Sequence, residues 1–247
     1  MTNGKSKRYK YIIWIGGASL LLAILCLVLF NSFGSSRFKE PSKEKYPVRG
    51  IDVSEYQGEI DWQVLSGQDI AFAFIKATEG SQDIDPRFAY NWEQAAKTKI
   101  RIGAYHFFSF SSSGAAQAAN FIAVVNKVDG MLPPVVDIEL YGSLKRDPKS
   151  ADEVLPDLYD LVKALEDTYR VKPIFYTTKA VYERYLADKF SQYPLWIRSV
   201  NTTPSITGWT FWQYSDRSTL PGYKGKERYI DMNLYHGTAE EFENAFK

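Results

Sequence analysis

Asp137 and Glu139 close the stretch Leu132-Pro-Pro-Val-Val-Asp-Ile-Glu-Leu140, an apolar run that delivers two carboxylates two residues apart. In a strand, side chains at that spacing share one face, so both acids would enter the same small volume. Two carboxyls crowded into a buried place cannot both ionise freely. One keeps its proton at neutral pH and becomes available as a proton donor. The same spacing also describes an ordinary strand with acids at its exposed end, so the chemistry depends on what else the chain brings to that place.

The elements that would position these acids alternate in type. Segments rich in β-branched and aromatic residues, at 48–53, 70–76, 101–108, 134–138 and 172–176, read as strands. Between and after them, 61–67, 86–98, 113–127, 151–169 and 178–190 read as helices, with Asp61 and Asp85-Pro86 as start signals. Three more strands, 194–197, 208–214 and 228–234, leave little room for helices, and a closing amphipathic helix follows at 238–246. Five strand-helix units and three final strands give eight short apolar strands, the number that closes into a barrel. The expected fold class is therefore α/β, an irregular TIM-like barrel. An open doubly wound sheet is the alternative, but no Gly-x-Gly-x-x-Gly follows the first strand and no P-loop occurs.

A barrel puts its chemistry at the C-terminal ends of its strands, and acids and aromatics gather there. Asp52 ends the first strand, Tyr105 and His106 the third, Asp137 and Glu139 the fourth, Tyr176 the fifth, Trp196 the sixth, Gln213 and Tyr214 the seventh and Asp231 the eighth. Four acids, Asp52, Asp137, Glu139 and Asp231, would meet at one mouth ringed by Tyr105, Tyr176, Trp196 and Tyr214. Carboxylates with aromatic walls suit carbohydrate: a protonated carboxyl serves the glycosidic oxygen, ionised ones stabilise oxocarbenium-like charge, and flat rings pack on sugar faces. An oxygen-ligand metal site is the competing use of four acids, but no Gly-bearing Asp-x-Asp calcium loop is present, and neither metal nor cofactor is expected. Glu79 is read as a loop anchor, His106 as a wall or core residue, and Trp212 as core.

Composition narrows the function further. The single cysteine, Cys26, lies in the N-terminal apolar run, so the globular part has no disulfide, thiolate metal site or cysteine nucleophile. The net charge of +1 conceals a +4 in the first ten residues and a +2 over 31–46, which leaves −5 from Pro47 onward. A mildly acidic globular part argues against a nucleic-acid surface. A monomer is expected.

Six motifs then carry a resemblance. Gly50-Ile-Asp-Val-Ser54 with Gln57-Gly58, Phe74-Ile-Lys-Ala-Thr-Glu-Gly80, Ile102-Gly-Ala-Tyr-His-Phe107, Pro134-Val-Val-Asp-Ile-Glu139, Trp212-Gln-Tyr-Ser215 and Asp231-Met-Asn233 follow in the order seen in glycoside hydrolase family 25 lysozymes, over nearly all of 48–236. The resemblance implies a (β/α)5β3 barrel and a muramidase that cleaves the β-1,4 bond between N-acetylmuramic acid and N-acetylglucosamine in peptidoglycan, with retention. It implies Glu139 as general acid, Asp137 as assisting group or acetamido-orienting residue, and Asp52 and Asp231 as flanking acids; Tyr105, Tyr176, Trp196, Gln213 and Tyr214, at the same strand ends, are the expected substrate-binding residues. Asp83 and Trp196-Ile-Arg-Ser199 depart from the family's usual residues, which bears on subsites and not on the acids. A covalent adduct and substrate assistance both remain open, and the adjacency of Asp137 and Glu139 on one strand favours assistance. An idle glycan-binding module and a chitinase-like glycosidase are the alternatives; of the chitinase motif Asp-x-x-Asp-x-Asp-x-Glu only the last two acids are present.

Upstream, residues 1–10 are basic, and 11–30 are twenty uncharged residues rich in Ile and Leu, the length of a transmembrane helix. Basic residues before the run predict a cytoplasmic N-terminus and an anchored domain outside the cytoplasmic membrane. A cleaved signal peptide, with secretion, is the alternative. Residues 31–46 read as a flexible linker and 47–247 as the catalytic domain.

Overall fold

The computed structural model describes residues 40–200 and 202–246. The expected membrane span at 11–30, the basic stretch before it and most of the linker lie outside these residues. No helix among the described residues is long and apolar enough to cross a membrane.

Eight strands form a closed barrel: β1 (Arg49–Val53), β2 (Phe72–Glu79), β3 (Arg101–Phe107), β4 (Val135–Ile138), β5 (Ile174–Thr178), β6 (Leu195–Arg198), β7 (Phe211–Ser218) and β8 (Ile230–Tyr235). Neighbours from β1 to β7 pair in parallel, while β8 runs antiparallel to both β7 and β1 and closes the ring. The sequence had led us to expect Asp231 at a strand's C-terminal end. It lies instead near the start of β8, and the reversed direction brings that start to the same rim as the ends of the other strands.

The barrel interior is packed with aromatic side chains. Phe72, Phe74, Val135, Ile174, Tyr176, Trp196, Phe211 and Tyr235 form one buried cluster, closed from below by Phe242 of the terminal helix Ala239–Ala245. Phe74 stacks on Trp196 with ring centroids 4.4 Å apart, and Phe72 sits 5.1 Å from Phe211. Space for these rings comes from glycine on the flanking strands. A Cβ on Gly103 would lie 2.8 Å from the Phe74 ring, and one on Gly50 would penetrate the Phe72 ring. Interiors this dense tolerate no added methyl without displacement.

Outside the barrel, helix Ala151–Tyr169 shows why the sequence pattern is legible. Ser150 and Glu153 form a capping box at its start, and Val154, Leu158, Leu161, Val162, Leu165 and Tyr169 are its buried stripe. The predicted helix at 178–190 is instead a three-residue helix, Lys179–Val181, running into a π-turn at Tyr182–Leu186. Asp61 caps helix Trp62–Ser66 as expected. Asp85 does not cap its helix from the N-cap position: its carboxylate accepts the backbone N–H groups of Glu55 and Arg87, both at 2.8 Å, tying the loop after β1 to the lead of helix Phe88–Ala95.

Residues 40–46, expected as the end of a flexible linker, are seated on the barrel. Tyr46 is buried against Trp209, Trp212 and His236, Arg49 donates to the Pro41 carbonyl, and Glu40 accepts from the Tyr214 hydroxyl. Aromatic burial of this kind is worth a few kcal/mol per ring, which a composition-based linker assignment does not weigh.

Candidate active site

The rim holds a cavity of about 400 Å³ whose wall includes Asp52, Asp137, Glu139 and Asp231. Strand parity puts them there. Val135 faces the barrel core, so Asp137 and Glu139, two and four residues on, face the same interior one and two layers higher. Across the barrel Asp52 and Asp231 are opposite each other in the antiparallel β1–β8 register.

Hydrogen bonds hold the Asp52–Asp231 side of the cavity. Asn233 Nδ2 donates to Asp52 Oδ1 at 2.7 Å, and Gln213 Nε2 donates to Asp52 Oδ1 at 2.9 Å and to Asp231 Oδ2 at 3.0 Å. Behind these amides Tyr176 donates its hydroxyl to Gln213 Oε1, and the Trp196 indole donates to Asn233 Oδ1, both at 2.8 Å. Burial pushes the Asp231 carboxyl up to about 9, with Asp52 and Asp216 adding to it and Arg198 opposing. Asp52 lies above its ordinary value because burial outweighs the donors from Asn233 and Gln213. A carboxyl held at about 9 keeps its proton at neutral pH, so Asp231 is a protonated member of the pair.

The other pair is less restrained. Asp137 is buried, and its Oδ1 has no hydrogen-bond partner among the described residues. Burial, then the charges of Glu139 and Asp52, hold its carboxyl well above the usual range, with Lys76 pulling the other way. Glu139 is raised by burial and by Asp52 and opposed by Arg198 and Lys145, and its side chain reaches the open part of the mouth. Lys76 is itself fixed, 2.6 Å from Glu79 Oε2 and 5.3 Å from the Phe107 ring centre. The arrangement can donate a proton from the β4 side and supply negative charge from the β1 side of one cavity.

The aromatic expectations divide. Tyr105 and Tyr176 line the cavity. Trp196 reaches its floor, but the residue is 2% exposed, its ring stacked on Phe74 and tilted against Tyr176, and acts through its N–H on Asn233. Gln213 is 1% exposed and touches the acids rather than open space. Tyr214 is not in the wall: it lies on the opposite face of β7 from Gln213, under the Arg49 guanidinium and against Glu40. Successive residues of a strand point opposite ways, so Gln213 and Tyr214 could not both face the mouth. His106 is buried outside the barrel wall, its Nδ1 taking the Thr78 hydroxyl at 2.8 Å and its Nε2 facing Gln117 Oε1 at 3.0 Å. Gln117 Nε2 is committed to the carbonyls of Ser109 and Ser112, which leaves Oε1 as acceptor and fixes the histidine as the Nε2–H tautomer. A register slip between Lys76 and Thr78 in β2 turns Thr78 to that outer side.

Sequence reading passed over Lys76, Phe107, Tyr56, Arg217, Glu227 and Tyr229, all in the wall, and Arg198, which pairs with Asp216 at 2.9 Å. Lys76 and Arg198 carry a usable signal, since each is two residues beyond an interior aromatic, Phe74 and Trp196. Glu227 and Tyr229 carry none. They come from the excursion after β7, which is pinned over the β1 loop by Asp61 N–H to the Gly222 carbonyl, Glu227 N–H to the Tyr56 carbonyl and Gln57 Nε2 to the Tyr229 carbonyl.

Comparison with known proteins places this geometry among relatives. The model of glycosyl hydrolases family 25 matches residues 51–223. The uncharacterized protein YegX of Escherichia coli K12 is 38% identical over 206 residues, 80% of this chain and 73% of that protein. Lysozyme M1 of Streptomyces globisporus is 34% identical over 211 residues, 78% of this chain and 69% of its own length. The structure of a family 25 glycosyl hydrolase from Bacillus anthracis superimposes with a TM-score of 0.80 at 47% identity, covering 86% of this chain and all of that one.

Proposed function

This chain belongs to glycosyl hydrolase family 25 and is a glycoside hydrolase, and from that premise we propose that it cleaves the β-1,4 bond between N-acetylmuramic acid and N-acetylglucosamine of peptidoglycan with retention, using Glu139 as the general acid. The observation that carries this is the convergence of Asp137 and Glu139 from one strand with Asp52 and Asp231 from two others on a single cavity. Glu139 is the acid of the β4 pair that solvent and substrate reach, and burial shifts its carboxyl upward, the direction a proton donor to the leaving glycosidic oxygen requires. Asp137, buried and with a free Oδ1, is placed to hold the N–H of a substrate acetamido group as its carbonyl oxygen attacks the anomeric carbon. The C–O bond to the leaving sugar breaks as that internal bond forms, and water then opens the ring intermediate with Glu139 as base. Asp137 and Glu139 on one strand cannot flank the sugar from opposite faces, which favours assistance by the substrate over a covalent aspartyl adduct.

Asp52 completes the site by opposing positive charge at the anomeric centre, with the protonated Asp231 beside it. Tyr105 and Tyr176 are the ring-facing walls. Anchoring by residues 11–30, with the barrel outside the cytoplasmic membrane, is the part of this reading that sequence alone supports.

The purified protein should release reducing ends from peptidoglycan with muramic acid at the new end. Glu139→Gln should lower kcat/KM by about 10³ or more while leaving the unfolding transition in place. Turnover undiminished in that variant would remove Glu139 from its role, and new ends at N-acetylglucosamine would replace the muramidase assignment with a glucosaminidase one.

A further inference from the structure

We propose that Gln213 and Asn233 are positioning residues that assign the one proton of the Asp52–Asp231 pair to Asp231, and that the Trp196 indole N–H and the Tyr176 hydroxyl act on the reaction by fixing the orientation of these two amides. The proposal builds on the assignment of Asp52 and Asp231 to the catalytic mouth.

An amide can be turned by half a rotation at little steric cost, so something must choose its orientation. At Asn233 the choice is made by Trp196, whose indole nitrogen can only donate. Its N–H points at Asn233 Oδ1 from 2.8 Å, which turns Nδ2 to Asp52 Oδ1 at 2.7 Å. At Gln213 the Tyr176 hydroxyl donates to Oε1, and the two hydrogens on Nε2 serve Asp52 Oδ1 and Asp231 Oδ2. Reversing either amide would set a carbonyl oxygen against a carboxylate. Trp196, Gln213 and Asn233 are 2%, 1% and 0% exposed, so water does not replace a lost donor.

The result is unequal. Asp52 Oδ1 collects two N–H groups and Asp231 Oδ2 collects one. The acid with more donors is the better anion, so the two N–H groups on Asp52 against one on Asp231 favour Asp52 as the carboxylate facing the cavity and leave the proton with Asp231. The charged and titratable groups facing Asp52 are Asp231 on β8, Asp137 on β4 and Glu139 just after it, Arg198 on β6, Tyr105 on β3 and Tyr176 on β5. Lys76 on β2 acts on Asp137, and Asp216 on β7 acts on Asp231. None of these changes in the variants below except the Tyr176 hydroxyl.

Trp196→Phe keeps a ring against Phe74 and removes one N–H; Tyr176→Phe removes one O–H. The assay is titration of the Asp52 carboxyl carbon by NMR, alongside the pH profile of kcat/KM on solubilised peptidoglycan. Each variant should move the Asp52 titration upward by about one pH unit and carry the acidic limb of kcat/KM the same way. In an Asn233→Leu background, Trp196→Phe should add nothing, because the indole acts through Asn233. An unmoved Asp52 titration in both single variants overturns the proposal, as does an undiminished Trp196→Phe shift without Asn233. Should Asn233→Leu fail to fold, the two single-variant titrations decide. A shifted titration in a protein inactive on peptidoglycan would uphold the clamp and defeat the muramidase assignment, so the two failures are distinct.

Discussion

Asp231→Asn should make the protein more stable and less active, by an amount that depends on pH in a defined direction. The native carboxyl titrates at about 9 and an unfolded one near 3.8, so between those values the folded state holds a proton that the unfolded state releases. Stability contributed at this site is complete below pH 4 and declines as pH rises towards 9. Each pH unit in that window costs about 1.4 kcal/mol, which sets a ceiling of about 4 kcal/mol at pH 7. Asp231 is only partly buried, and solvent at the mouth screens its interaction with Asp52 and Asp216, so a gain of about 1–2 kcal/mol is the expected effect. Asparagine keeps the shape and can still donate to Asp52. For a domain of this size the gain corresponds to roughly 3–6 °C in Tm. Thermal and urea unfolding of the purified protein at pH 4, 7 and 9 measures it. The variant should match wild type at pH 4 and exceed it increasingly at pH 7 and 9, with kcat/KM reduced at least about tenfold. A gain that does not vary with pH, or a loss at pH 9, would refute the reasoning that a buried shared proton is the source of the cost.

Two further outcomes follow from the packing. His106 titrates at about 4 because burial disfavours its cation. Its folded value lies below the unfolded one, so the His106 contribution to the unfolding free energy should fall as pH drops from about 6.5 through 4, and an imidazole NMR titration with a midpoint near 6.5 would contradict this. Gly50→Ala sets a methyl into the Phe72 ring, which Phe74, Phe211 and Phe242 hold in place. A loss of about 2–3 kcal/mol is expected in urea unfolding, and a neutral substitution would mean the ring has room to move.

The sequence by itself determined the strand-helix alternation, the eight strands of a barrel and the position of Asp52, Asp137 and Glu139 at the C-terminal ends of their strands. Those are local properties: a period of two or 3.6 residues, a cap such as Asp61, and motifs short enough to read along the chain. It also placed Asp137 and Glu139 on one face, because that follows from spacing alone. Other features depended on residues far apart in the chain. The direction of β8 is set by its pairing with β1 and β7, and only that pairing sets Asp231 opposite Asp52. Trp196 and Tyr214 look like sugar platforms in the sequence. In the fold one belongs to the core beneath Asn233 and the other to the outer face with Arg49, because strand parity and the volume of the barrel interior decide which way a ring can point. The seat of residues 40–46 was equally hidden, since a polar composition gives no hint that Tyr46 has Trp209 and Trp212 to bury against. Which acid keeps the proton is the least local property of all. It depends on burial and on donors supplied by β7 and β8, side chains that are 161 and 181 residues from Asp52 along the chain and within 3 Å of it in the fold.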